Sequence, residues 1–241
     1  MTTTNMARLN DMVRINCPGA LDGIIRMEIF NVLKDFFQRT NAWLLELPVF
    51  ITTATNDYQL ETGQNVIVNR LMGLGRLSSP LPQDGYWSSA YAPTCPPQYL
   101  TAAREQGTDP YFRTRRAGAL LNPGVKCPIL RIYENPSADE TWVAVVALNA
   151  GDPTDAEGFV SPPDWIMEKY LRYLASGVSC QLMLQPAKPY SSLPGAQYHG
   201  RKFNEGVGVA RTEIRQMFNY SGQAWSFPGG WNHMAARGLS G

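Results

Sequence analysis

Apolar residues recur at helical spacing in three parts of the chain. From Ala20 to Thr40, Leu21, Ile25, Ile29, Val32, Leu33 and Phe36 line one side, while Arg26, Asn31, Lys34, Asp35 and Gln38 fall on the other. Such a stripe predicts an amphipathic helix of about five turns. Pro18-Gly19 marks its start, and Pro48 bars helix beyond Leu47. In SPPDWIMEKYL, Ser161 stands as N-cap, Pro162 at the first helical position and Asp164 three residues after the cap. The helix it opens presents Ile166, Tyr170, Leu174 and Val178 on one side and runs through Gly177 to about Leu184. A glycine there costs about 1 kcal/mol relative to alanine unless a neighbouring segment comes close. The three prolines of QPAKPYSSLPG break the pattern, and a further helix is predicted from about Ala196 to Phe218. Ala196, Phe203, Ala210 and Met217 repeat every seven residues, with Gly200, Val207 and Ile214 offset by four. That is a coiled-coil-like seam with small residues in it. Arg201, Lys202, Glu205, Arg211, Thr212 and Arg215 form its polar face.

Between these regions the period changes. VFITTAT, NVIVNRL, CPILRIY and TWVAVVAL are rich in β-branched residues and bounded by Gly, Pro, Asn or Asp. Four or more strands are expected between residues 49 and 150. ILRIY-ENPSADE-TWVAVVAL reads as a two-strand hairpin. Ser78 to Gly124 has little periodicity beyond a short helix expected at Pro97 to Gln106, and loops of that length usually bind something. Residues 1–16 are polar and read as an extended arm, and the chain after Phe218 is Gly-rich. The expected fold class is α+β: a helical bundle of N-terminal and C-terminal helices, an inserted β-rich domain and an extended C-terminal tail. The divisions fall at residues 1–47, 48–160, 161–220 and 221–241. No repeat of 20–50 residues is present.

Composition narrows the function classes. A chain of 241 residues buries a core without staples or metals. Its 21 glycines and 18 prolines exceed the usual share of about 12% and predict many turns. A net charge of +1 excludes a strongly basic DNA-coating protein and an acidic disordered one. The apolar runs, such as Val143 to Leu148, are too short to span a bilayer, and MTTTNMARLN lacks the apolar centre of a signal peptide. A soluble protein without membrane partners is expected. Cys17, Cys95, Cys127 and Cys180 lie far apart and read as free, mostly buried thiols, with no zinc site among them.

Motifs for catalysis are sparse. The only histidines are His199 and His233, and G-x-S-x-G and Walker A motifs are absent. GLGRL at Gly73 to Leu77 lacks the third glycine of a dinucleotide loop, and the glycines Gly206 and Gly208 fall mid-helix, where close packing explains them. Asp152, Asp155 and Glu157 form a solvated turn without the closing glutamate of a calcium loop, and Asp139 and Glu140 sit in the expected hairpin. No catalytic, cofactor or metal residues are therefore assigned, and no enzyme is expected. Arg113, Arg115 and Arg116 stand beside Tyr111 and Phe112, a mixture able to hold phosphates and bases, to pair with a protein surface or to form a solvated loop. Trp225, Phe227 and Trp231 lie in a Gly-rich tail, a pattern suited to ordering against a partner or folding back on the domain.

Four stretches carry a resemblance: PGALDGIIRMEIFNVLKDFFQRTNAW, LPVFITTATNDYQLETGQNVIVNRL, PPDWIMEKYLRYLASGVSCQLMLQPAKPYS and AQYHGRKFNEGVGVARTEIRQ. With P-x-W-I, L-x-x-G, Q-P-x-K-P and H-x-x-x-F in that order, the chain resembles the head-to-tail adaptor (connector) proteins of short-tailed bacteriophages. The likeness covers about half the chain and leaves Ser78 to Gly124 without a counterpart. It implies a structural virion protein assembled in the host cytoplasm and placed at the capsid vertex. There it would form a homo-oligomeric ring, usually a dodecamer, between the portal protein and downstream tail or nozzle proteins, with genomic DNA passing transiently through the lumen. Trp225, Phe227 and Trp231 would then meet the portal or a neighbouring subunit, and Arg113, Arg115 and Arg116 DNA or a partner. The alternatives are another neck or tail protein, or a carbohydrate-binding or hydrolytic α+β domain whose groove is lined by Tyr86, Trp87, Tyr91, Tyr99 and Tyr111.

Overall fold

The structure, a computed structural model, describes residues 4–62, 65–76, 118–132, 139–151 and 162–218. In chain order these form α1 (Thr4–Asn16), α2 (Asp22–Thr40), β1 (Leu44–Ile51), β2 (Asp57–Gln59), β3 (Val66–Arg76), β4 (Gly118–Leu121), β5 (Ile129–Ile132), β6 (Glu140–Ala150), α3 (Asp164–Met183) and α4 (Leu193–Phe218). The fold is α+β, with four helices and two three-stranded antiparallel sheets among the described residues.

Residues 4–16 are helix rather than an extended arm. Leu9, Val13 and Cys17 recur every four residues and are fully buried, so a narrow apolar stripe holds an otherwise polar segment against α3. Asn5 Nδ2 donates to the Asp164 carbonyl at 3.2 Å, and Asn16 Nδ2 to Ser179 Oγ at 3.0 Å. The next helix, α2, ends where expected. Asn41 takes the left-handed conformation at φ 56° and donates its N–H to the Phe37 carbonyl. That stop precedes Pro48 and leaves room for β1 to start at Leu44, before the expected strand boundary at residue 49. Pro48 is tolerated inside β1 because β1 is an edge strand.

The first sheet has the order β1-β6-β3 and the second β2-β5-β4. Residues 142–150 of β6 are buried throughout, as a central strand covered on both faces requires. Val49 and Trp142, Leu47 and Ala144, and Leu45 and Val146 stand opposite each other and share the core face. The expected β5–β6 hairpin does not form. Both edges of β6 are occupied, by β1 and β3, whereas β5 pairs with β2 and β4. On β5, Leu130 and Ile132 turn inward, and Arg131 forks outward onto Asp57 of β2 at 2.6 and 2.5 Å. Asp57 is held below the usual carboxylate range by the Arg131 hydrogen bonds. The strand β4 also falls inside the stretch from Ser78 to Gly124 read as aperiodic. Residues 78–117 of that stretch, with the proposed helix at Pro97 to Gln106, lie outside the described residues. The β3 register skips at Asn69 and Met72 and places Gly73 and Gly75 opposite Val145 and Val143, so GLGRL opens as paired strand and not as a loop.

α3 is the centre of the helical layer and contacts α1, α2 and α4. It begins at Asp164 with Pro163 as N-cap and no side-chain cap bond; Ser161 lies outside the described residues. Asp164 in the first turn complements the helix dipole instead. α4 starts earlier than expected, at Leu193, because Ser192 Oγ accepts the Gly195 N–H at 3.2 Å. Ile25, Ile29, Leu33, Phe36, Ile166, Tyr170, Leu174, Val178, Phe203, Val207 and Ile214 are all buried, as the helical stripes require. Their core is continuous with that of the sheets. Asn149 of β6 joins the two by donating from Nδ2 to the Lys34 carbonyl of α2 at 3.1 Å.

Two glycines set the helix spacing. A Cβ at Gly177 would lie 2.7 Å from both Phe203 and Val32 side-chain carbons, and one at Gly206 would lie 2.3 Å from Tyr173 Cγ. Gly208, in contrast, has nothing within 4 Å of a built Cβ. Gly206→Ala is therefore expected to destabilise by about 1–3 kcal/mol through overpacking. Gly208→Ala should stabilise by about 0.5–1 kcal/mol through helix propensity. Phe203→Ala should cost roughly 3–5 kcal/mol. Urea titrations of the three variants check the order; equal effects of the two glycine substitutions would place the α3–α4 contact elsewhere.

Candidate functional site

The sequence-predicted partner residues Arg113, Arg115, Arg116, Trp225, Phe227 and Trp231 lie outside the described residues. So do the tyrosines and tryptophan of the alternative groove, the turn carrying Asp152, Asp155 and Glu157, and His233. Asp139 is exposed and accepts the Thr53 N–H at 3.1 Å. Among the described residues no group of three or more His, Cys, Asp or Glu side chains converges as a metal site would require. No described helix is long and apolar enough to cross a membrane.

The cysteines are unlike one another. Cys17 is buried, Cys180 partly buried and Cys127 exposed, so the expectation of mostly buried thiols fails at Cys127; Cys95 lies outside the described residues. Burial pushes the Cys17 and Cys180 thiols above their ordinary range, which keeps both protonated and weakly nucleophilic near neutral pH. His199 packs edge-on against Tyr198, and burial lowers its pKa. Its Nδ1 has no hydrogen-bond partner.

Two hollows meet at Cys180. One, of about 210 Å³, is lined by Glu28, Asn31 and Asp35 of α2 and by Gly177, Gln181 and Phe203. The other, of about 580 Å³, is open and runs between Leu184 and the α4 residues Ala196, Gln197, Gly200 and Arg201. Most of the polar wall is already engaged. Glu28 accepts from Gln185 Nε2 at 3.3 Å and from Asn31 Nδ2 at 3.4 Å. Arg39 pairs with Asp35 at 3.2 Å, donates to Asn204 Oδ1 at 2.8 Å and lies over the Phe203 ring.

A second polar cluster ties α3 to α4. Lys169 Nζ stands 2.8 Å from Glu213, and Tyr170 donates its hydroxyl proton to the same carboxylate. Burial, and then Glu213, push the Tyr170 pKa well above its ordinary value. Burial alone would raise Glu213, but the hydrogen bonds from Lys169 and Tyr170 outweigh it and leave its pKa below the usual carboxylate value. The cluster locks a proton on Tyr170, which suits a clamp between helices.

Four exposed aliphatic side chains lie at one end of the helical layer. Ile15 is 79% exposed, Leu21 69%, Leu193 63% and Leu184 52%. They occupy the last turn of α1, the N-cap of α2, the first position of α4 and the C-cap of α3. The turns between these helices touch, since a Cβ at Gly19 would lie 3.9 Å from Pro189 Cγ. Sequence reasoning missed this surface by counting Leu21 in the buried stripe of α2. The signal was present in leucine at an N-cap, where Ser, Thr, Asp or Asn is preferred; no side-chain cap bond forms there. No protein-family model matches the chain, and no curated protein matches it.

The Glu213 cluster gives the protein an acid-sensitive joint. The folded pKa of Glu213 lies below its unfolded value, so its stabilisation is present above the unfolded carboxylate pKa and is lost as pH falls through the folded one. Glu213→Gln is expected to lower stability by about 1 kcal/mol at pH 7 and to have little effect in strong acid. Urea midpoints of wild type and variant, measured from neutral to acidic pH, check this; a constant gap across the series would contradict it.

Proposed function

We propose that this protein is a head-to-tail adaptor of a tailed bacteriophage, a structural ring subunit and not an enzyme. The observation that carries the reading is the placement of the four family-like stretches. The first forms α2, the second runs through β1 to β3, the third is α3 with its proline turn, and the fourth is α4. Helices from both ends of the chain pack on one another, and α2 packs on β6. In this reading the helical layer is the bundle, residues 48–160 are the insert and residues 221–241 are the tail.

Copies would close into a ring, of about twelve by the family resemblance, under the portal at the capsid vertex, with tail or nozzle proteins below. The net charge of +1 per copy favours a lumen through which DNA slides without being gripped. Trp225, Phe227 and Trp231 are the anchor to the portal or to the neighbouring copy, each able to bury about 150–250 Å². Arg113, Arg115 and Arg116 are the second contact, to DNA or to a partner.

Imaging of purified virions at residue resolution tests the reading: a ring of this chain below the portal is expected, and its absence from the virion overturns it. Truncation after Tyr220 is expected to leave a folded protein that no longer joins portal-containing heads. Assembly of the truncated chain at wild-type occupancy would move the anchor to the segment carrying Arg113, Arg115 and Arg116.

A further inference from the structure

We infer that one face of α4, the row Gln197, Arg201, Asn204, Gly208, Arg211 and Arg215, holds the phosphate backbone of duplex DNA. The inference stands on the helix itself; joined to the ring reading, it sets α4 against the lumen.

The six positions follow one another at intervals of four, three, four, three and four residues, which sets them in one line along a helix. Gln197, Arg201, Asn204, Gly208 and Arg211 are exposed, and the spacing continues to Arg215. No carboxylate interrupts the row. Glu205 borders it and is held by Lys202 at 3.0 Å. Asp35, across on α2, is paired with Arg39. Glu28, farther along α2, accepts from Asn31 and Gln185. Arg201 has no ion-pair partner among the described residues. Arg39 adds a cation beside the row by donating to Asn204 Oδ1, which leaves the Asn204 amide N–H groups to donate. Gly208 has no use inside the chain. A Cβ there would meet nothing within 4 Å, and an exposed glycine weakens a helix relative to alanine. What glycine offers at such a place is close approach to the backbone by something outside.

Composition selects the occupant. The row offers guanidinium groups, amides and bare backbone, and no apolar side chain. A protein partner needs an apolar or aromatic anchor at the centre of the contact. Phosphate and sugar oxygens are held by Arg, Asn, Gln and backbone groups, with no such anchor. Nucleic-acid interfaces are accordingly more polar and more positive than protein ones. Arg201 to Arg215 spans about 21 Å of helix at 1.5 Å per residue, so the anion that engages the whole row is extended and repeats its charge. Duplex DNA carries one charge per about 1.7 Å of its axis and meets that demand. Three arginines per copy make a weak, salt-sensitive contact. Such a contact suits DNA that moves past the surface.

The test is fluorescence anisotropy of a labelled duplex of about 30 base pairs, titrated with the full-length chain between about 50 and 200 mM salt. The association constant is expected to fall with salt, with a logarithmic slope of about −0.9 for each arginine engaged. The double variant Arg201→Gln, Arg211→Gln should bind at least about tenfold more weakly at the lowest salt and lose about two units of slope. Arg201→Lys, Arg211→Lys should keep the slope, because the charges remain. Gly208→Leu should weaken binding several-fold with every arginine in place, by holding the duplex off the backbone. Thermal melts confirm that the variants, all at exposed positions, are folded. No binding at the lowest salt, or a slope unchanged in the folded glutamine variant, would overturn the inference. So would displacement of the duplex by an equal concentration of a peptide of the acidic residues 150–159, which would assign the face to a protein segment. A ring seen in the virion alongside any of these results leaves the ring reading standing. DNA binding through the row by a chain absent from the virion would overturn the ring reading alone.

Discussion

The approach of α2 and α4 over Gly177 is the contact on which the remaining structure depends. Val32 and Phe203 meet at that glycine, each where a methyl group would stand. Phe203 also packs near the Phe36 ring, at 6.2 Å between centroids, and Phe36 packs on Tyr170 at 5.2 Å. One backbone position without a side chain thus lets three helices share a single aromatic layer. Gly206 does the same on the other side of the pair by admitting Tyr173. Interiors packed at crystal-like density transmit such constraints, so the spacing of the helices follows from these two residues.

Polar contacts then fix what apolar packing leaves loose. Arg39 at the end of α2 reaches Asn204, and Arg211 Nε donates back to the Arg39 carbonyl at 2.9 Å. Lys169, Tyr170 and Glu213 clamp α3 to α4. Asn149 carries the alignment into the first sheet through Lys34, and Leu148 N–H continues it to the Trp43 carbonyl at 2.7 Å. Hydrogen bonds of this sort contribute little net free energy each, yet an alternative packing would break the part-buried ones of Asn149 and Tyr170. The helices and the β-rich middle therefore sit in one defined relation despite the predominantly apolar contact between them.

The helix ends show the reverse allocation. At the start of α2 the aliphatic Leu21 faces water where a capping side chain is preferred, and Leu184 and Leu193 face water at the turn between α3 and α4. A surface that forgoes capping and exposes leucine is destabilising for a lone subunit. It becomes favourable once a second chain removes those side chains from water, at about 25 cal/mol per Å² of apolar area. The proposed ring draws on that same difference.

Much of the helical fold was determined by sequence alone. The stripes on α2, α3 and α4 place Ile25, Phe36, Ile166, Leu174, Phe203 and Ile214 in the core, and each is buried. The reason is periodicity: a face repeated over five or more turns admits only one orientation toward a core. Shorter or sparser signals were decided by tertiary structure. Leu9, Val13 and Cys17 make a stripe too thin to stand out, and only α3 beneath it makes the segment helix. β5 and β6 look like neighbours across a turn, but strand pairing depends on which edges are occupied, and β6 had none to offer. Leu21 fits an apolar stripe by spacing and still faces water, because it stands at the cap, one step beyond the last turn that packs. The candidate surface was legible only in part: leucine at an N-cap is a local signal, but exposure at a helix end depends on where neighbouring turns stop.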